Sequence, residues 1–321
     1  MSTLKEPAMT LWPENADLVV GPVAYIVPNN RKMNISFNIF AVLGAMLCWG
    51  FGDFIIQKVT RKIGDMEALA WIGVLGSIGL LPFIWQDLSL VVSASNFWIL
   101  LGLGVIAFII GIINFEALKR GKISVIEVIL EAELPIAVLL GLIFFGESLS
   151  GFQILLTLAI FSGIILIATG PGDIRKSHFL EKGAVLAVVA AIGYGIIDFL
   201  TAFGAKTISP LLTIWFTWAT FTLICFIYMA WRGKIVSFFK DAGKYKAIVL
   251  GMGVIDTLAW ILFAIAVQSN KLAITVAITE SYPAIGLILG VAVNREKVTI
   301  HQYIGAFIAV AASFAMGLFI H

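Results

Sequence analysis

The chain has 321 residues, of which 60% are hydrophobic and 12% charged, with a net charge of +2 and a mean hydropathy of +1.04. A soluble domain of this length carries about 25% charged residues, so an ordinary water-excluded core is ruled out as the use of this apolar surface. The small net charge and the lack of a basic tract exclude a nucleic-acid partner. Cys48 and Cys225 lie singly in apolar runs and read as small buried hydrophobes rather than a disulfide or metal pair.

In chain order, residues 1–32 come first, with Pro7, Pro13, Pro22 and Pro28 and only one short apolar run. They read as a poorly ordered tail without a signal-peptide pattern. Ten apolar runs of membrane-crossing length follow, at about 37–57, 67–86, 97–118, 123–145, 152–170, 183–203, 210–231, 246–268, 271–293 and 301–320. The predicted fold is an all-α integral membrane protein in the bilayer, multi-pass in the cell membrane.

The two halves repeat. Trp49-Gly50-Phe51-Gly52-Asp53-Phe54 matches Tyr194-Gly195-Ile196-Ile197-Asp198-Phe199, and residues 123–135 match 271–283. The second match sets Pro135 against Pro283, and Glu127, Glu131 and Glu133 against Thr275, Thr279 and Ser281. Pairing Glu147 with Glu296, and Gln153 with Gln302, then needs one inserted residue in the loop. The expected units are 33–172 and 180–321. Five helices per unit is an odd number, so the units enter the membrane in opposite senses, as in many secondary transporters.

With this repeat, the aromatic-Gly-x-x-Asp element and the Gly-Glu-Ser loop before the fifth span, the chain resembles the drug/metabolite transporter superfamily, in particular its EamA-type members. The resemblance implies ten helices, a cavity between the repeats lined by the first, third, fourth, sixth, eighth and ninth, and a small-molecule cargo. It also implies both termini inside the cell. The charge pattern argues the reverse, because 16 of the 21 Lys and Arg residues fall in the connections on the face opposite the termini's side of the membrane.

Eight carboxylates lie inside the spans with no basic residue at depth: Asp53, Glu116, Glu127, Glu131, Glu133, Asp198, Asp256 and Glu280. Intramembrane acids are costly, so they face a bundle interior or a water-filled cavity. Asp53 and Asp198 occupy equivalent positions about one turn from their predicted helix ends, which suits gates at opposite faces. Glu127 and Glu131 share a helix face, where one proton held between them is the cheaper state. Glu133 is about 200° around the helix from Glu131 and is expected to point elsewhere. Pro135 and Pro283 are candidate helix breaks. Asp256 with Trp260, and Glu280 with Tyr282, would suit a cationic or amphipathic ligand, and Asn114 is a further polar candidate. Trp260 and Tyr282 also fit simple interhelix packing.

The expected function is secondary transport of a small organic metabolite (an amino acid, sugar, nucleotide-like or amphipathic compound), with Glu131 exchanging a proton. An uncoupled channel for cationic solutes is the alternative. The chain lacks P-loop, HExxH and GxSxG motifs, so no enzyme activity, cofactor or metal is expected. A Gly286–Gly290 GxxxG leaves a monomer or a homodimer open.

Overall fold

The computed structural model describes residues 35–120, 129–168, 182–294 and 299–318. The tail, Glu127 and Glu296 lie outside these residues. Helices α1 (Ile35–Ile63), α2 (Asp65–Ile84) and α3 (Ala94–Arg120) open the first repeat, followed by α4 (Glu133–Phe144) and α5 (Gly151–Ala168). The second repeat holds α6 (Lys182–Thr207), α7 (Pro210–Trp231), α8 (Ile235–Lys244), α9 (Lys246–Ser269), α10 (Leu272–Thr279), α11 (Pro283–Asn294) and α12 (Ile300–Leu318). Among the described residues, eight segments are long and apolar enough to cross a membrane, and two shorter apolar helices, Glu133–Phe144 and Gly151–Ile167, bring the number to ten. The protein is an all-helical membrane protein of two inverted five-span repeats.

Local chemistry sets the helix limits. Gly64 ends α1 at φ 96°, a conformation that costs glycine little, and Asp65 and Glu67 then lie in the first turn of α2. Ser209 caps α7, with Pro210 as its first residue. Ser150 and Gln153 cap α5 reciprocally at 3.0 and 3.2 Å, and the Thr299 amide donates to Gln302 at 3.0 Å at the start of α12.

The repeats interlock rather than sit side by side. The most extensive packing pairs α5 with α12, α1 with α9, α3 with α6 and α2 with α7, all across the repeat boundary. Equivalent glycines make equivalent contacts. A Cβ on Gly50 would stand 2.5 Å from Ile285, and one on Gly195 would stand 2.6 Å from Ile136. Likewise Gly104 meets Thr220 and Gly253 meets Leu75, both at about the same separation. Gly104 and Gly253 sit in matching stretches, residues 101–106 (LGLGVI) and 250–255 (LGMGVI). These pairs define the pseudo-two-fold relation. They also correct the alignment of the fourth and ninth spans: Ile136 corresponds to Ile285, so Glu131 corresponds to Glu280 and Glu133 to Tyr282. The two prolines, which had fixed the sequence alignment, are one residue out of step.

Three further features complete the fold. The connection between the seventh and eighth spans contains α8, which buries Phe238 against Trp71, with ring centroids 4.6 Å apart, and exposes Val236 and Phe239. The second and third spans are joined by a short 3-10 turn, Asp87–Val92, where buried Asp87 accepts from the Ser209 hydroxyl at 2.6 Å. The tight glycine crossing is between α5 and α12, where Gly163 and Gly305 meet each other's backbone, whereas a Cβ on Gly286 would meet nothing.

Candidate functional site

The fourth and ninth spans are each broken. A turn at Glu131–Ala132 precedes α4, and a turn over Glu280–Tyr282 separates α10 from α11. The Glu131 carbonyl accepts from the Leu134 amide at 3.3 Å and the Thr279 carbonyl from Tyr282 at 3.1 Å, so tight turns take up the carbonyls that the prolines would free. Both breaks carry an acid, and the acids of both repeats gather around them.

One carboxylate oxygen each from Glu133, Asp198 and Glu280 lies within 4.8 Å of the others. Glu133 and Asp198 are hydrogen-bonded to each other. In the equivalent place of the other repeat, Tyr282 hydrogen-bonds Asp53. Asp256 lies in the electrostatic field of Asp53. Tyr282 lies in the electrostatic field of Asp53, Glu131, Glu280 and Glu133, and Tyr194 in that of Glu133, Asp53 and Asp256. Asn114 donates from Nδ2 to the Tyr194 hydroxyl at 3.2 Å. The contributing segments are the first, third, fourth, sixth, eighth and ninth spans.

Two readings of the sequence are corrected by this geometry. Asp53 and Asp198 are not near helix ends, because α1 runs on to Ile63 and α6 to Thr207. At about 1.5 Å per residue each acid stands roughly 13–15 Å from its helix terminus, so both reach one central site instead of opposite gates. Glu133 does not point away. Its angle to Glu131 follows helical spacing only if the helix is continuous, and the turn at Glu131–Ala132 removes that premise. Glu133 is the site residue that sequence reasoning set aside, and Asp198, its partner, was the available signal.

The remaining candidates have clear places. Trp260, one helical turn after Asp256, packs edge-on against Trp49 at 5.2 Å and Trp218 at 5.8 Å, forming an aromatic cluster. Glu131, Asp198, Asp256 and Glu280 are buried. The Asp53 side chain is exposed, with Tyr282, Asp256 and Glu280 around it. A separate groove of about 380 Å³ between α3 and α6, lined by Trp98, Leu103, Ile106 and Phe199 among others, holds no charged side chain.

Six acids from both inverted repeats meet at two interrupted helices, the kind of place where secondary transporters build their sites. Sequence comparison gives the family. The EamA-like transporter family model matches residues 36–169 and again 181–318, and the chain belongs to that family. It is a family of membrane transporters of small solutes rather than of enzymes. No curated protein matches the chain. A solved structure described only as a protein crystal structure superposes with a TM-score of 0.68, at 13% identity, over 89% of this chain and 98% of the other, a likeness of fold.

Proposed function

We propose that the protein is a secondary transporter of the cell membrane that moves a small organic metabolite bearing a positive charge, coupled to protons, by alternating access. The observation that carries this reading is the convergence of Asp53, Glu131, Glu133, Asp198, Asp256 and Glu280 on the two helix breaks. The charged neighbours of the clustered acids are themselves acidic. Such a site favours a cation or bound protons, because like charges in a low dielectric repel. Trp49 and Trp260 supply aromatic faces against which a cationic ligand can rest. Rocking of one repeat against the other would expose the site to each side in turn, and exchange of ligand for proton would link the two fluxes.

Glu131 is the acid to test first, as the first-repeat member of the equivalent pair at the breaks. Purified protein in liposomes, given an imposed pH gradient and a panel of labelled amines and amino acids, should show saturable, gradient-driven uptake and counterflow. Glu131→Gln should retain the fold and lose the dependence on the gradient. Uptake by that variant with unchanged pH dependence would remove Glu131 from the coupling role. Flux without saturation or counterflow would indicate a channel instead.

A further inference from the structure

We propose that Glu133, Asp198 and Glu280 together bind one hard divalent cation on the transport pathway, an inference that rests on the carrier reading above and names an ion for its site. All three groups offer carboxylate oxygens, the donors preferred by magnesium, calcium and manganese. Their oxygens lie within 4.8 Å of one another. Around a six- to eight-coordinate ion with ligands at about 2.1–2.4 Å, ligand oxygens are separated by roughly 3 to 4.8 Å. The three groups therefore need little rearrangement to reach one ion.

A second observation points to a ligand. Asp198 is 1% exposed, and its Oδ2 accepts from no N–H or O–H donor among the described residues; its neighbour is another carboxyl, that of Glu133, so a proton or a cation must lie between them. A desolvated acceptor beside other acids is a place where a bound cation supplies the missing partner. The site also lies at the C-terminal end of α10, whose cap residue is Glu280. The helix dipole places partial negative charge there, and interrupted helices use such ends to hold cations.

Among the described residues only one such site is built. In the equivalent pocket of the other repeat Asp53 faces Tyr282, which stands where the first repeat has Glu133. The phenol replaces the third carboxylate, leaving Asp53 and Glu131 without the ligand that completes the set.

The test uses the full chain in detergent at pH 7.5, with manganese as the probe and free Mn²⁺ read by electron paramagnetic resonance. One ion per chain is expected, displaced by magnesium or calcium. Asp198→Asn, Glu133→Gln and Glu280→Gln should each weaken binding at least tenfold, while Asp65→Asn, remote at the start of α2, should leave it unchanged. Glu133→Tyr recreates the side chain of the equivalent pocket and serves where the other variants fold poorly; it too should lose the ion. Absence of saturable binding to the unaltered chain would overturn the proposal, as would retention of full affinity by the folded variants. Metabolite uptake without manganese binding would sink the ion site alone. Manganese binding without any metabolite uptake would keep the ion site and sink the metabolite reading.

Discussion

The Glu147 carboxylate accepts from the backbone amide of Leu272 at 2.6 Å, and its second oxygen accepts from Ala273 at 2.9 Å. A loop of the first repeat thus closes on the first turn of α10 in the second. The chain builds toward this contact: Gly146 turns at φ 61°, and Gly141 leaves room, since a Cβ there would stand 2.9 Å from the Glu147 Oε2. Lys271 donates to the Ser148 carbonyl and Lys206 to that of Asn270 at 2.8 Å, which tightens the same face.

Glu147→Gln keeps one acceptor but loses the charge that faces the helix N-terminus. The expected cost is about 1–2 kcal/mol of stability, with Glu147→Ala costing more. Thermal unfolding in detergent measures it, and equal melting temperatures for all three proteins would show that the contact holds nothing together.

Gly195→Ala places a methyl group where Ile136 already stands, at 2.6 Å. Overpacking of this kind costs about 1–3 kcal/mol. Ile136→Ala in the same chain should recover part of the loss, and the equivalent pair Gly50→Ala with Ile285→Ala should behave alike. Additive losses in either double variant would contradict the paired packing.

Gly305→Val should be far more damaging than either. A Cβ there would stand 2.6 Å from the Gly163 carbonyl oxygen, a backbone atom that cannot swing aside. Loss of a monodisperse peak on size exclusion is the expected result. A well-folded Gly305→Val protein would mean that α5 and α12 do not cross so closely.

Because Glu280 is the repeat partner of Glu131, Glu280→Gln should abolish gradient-driven uptake to the same degree as Glu131→Gln. The sign follows from the chemistry: protons and a cationic solute compete for these carboxylates, so solute binding to the unaltered chain weakens as pH falls. Each single amide variant should flatten that dependence. A Glu280→Gln protein with normal pH-dependent uptake would separate the two acids.

Much of this arrangement is legible in the residues. Span length and hydropathy reveal ten crossings, and the Gly50 and Gly195 motifs expose the repeat, because these depend on local composition. Misreadings arose where a helix stopped or ran on. Asp53 and Asp198 seem peripheral when α1 and α6 are cut at the edge of the apolar run, yet Lys58, Arg61 and Lys62 extend α1 in helical form. Glu133 seems misdirected only if the fourth span is unbroken. The prolines mark both breaks but hide the true equivalence of Glu131 and Glu280, since register there is set by Gly50 on Ile285 and Gly195 on Ile136. The inward pull of α8 depends on Phe238 finding Trp71, a contact that spacing within one segment does not encode.

In an ideal inverted repeat the inward-open and outward-open states are related by a two-fold rotation and have equal free energy, so the empty carrier has no preferred side. Glu133 opposite Tyr282 breaks that equality at the helix breaks themselves. One half of the cycle must move an ionisable group through the low-dielectric centre while the other moves a phenol. Glu133 therefore makes the resting orientation depend on pH, and exchanging the two side chains, Glu133→Tyr with Tyr282→Glu, should shift the bias in which face of the empty protein is open to a membrane-impermeant thiol reagent at an engineered cysteine.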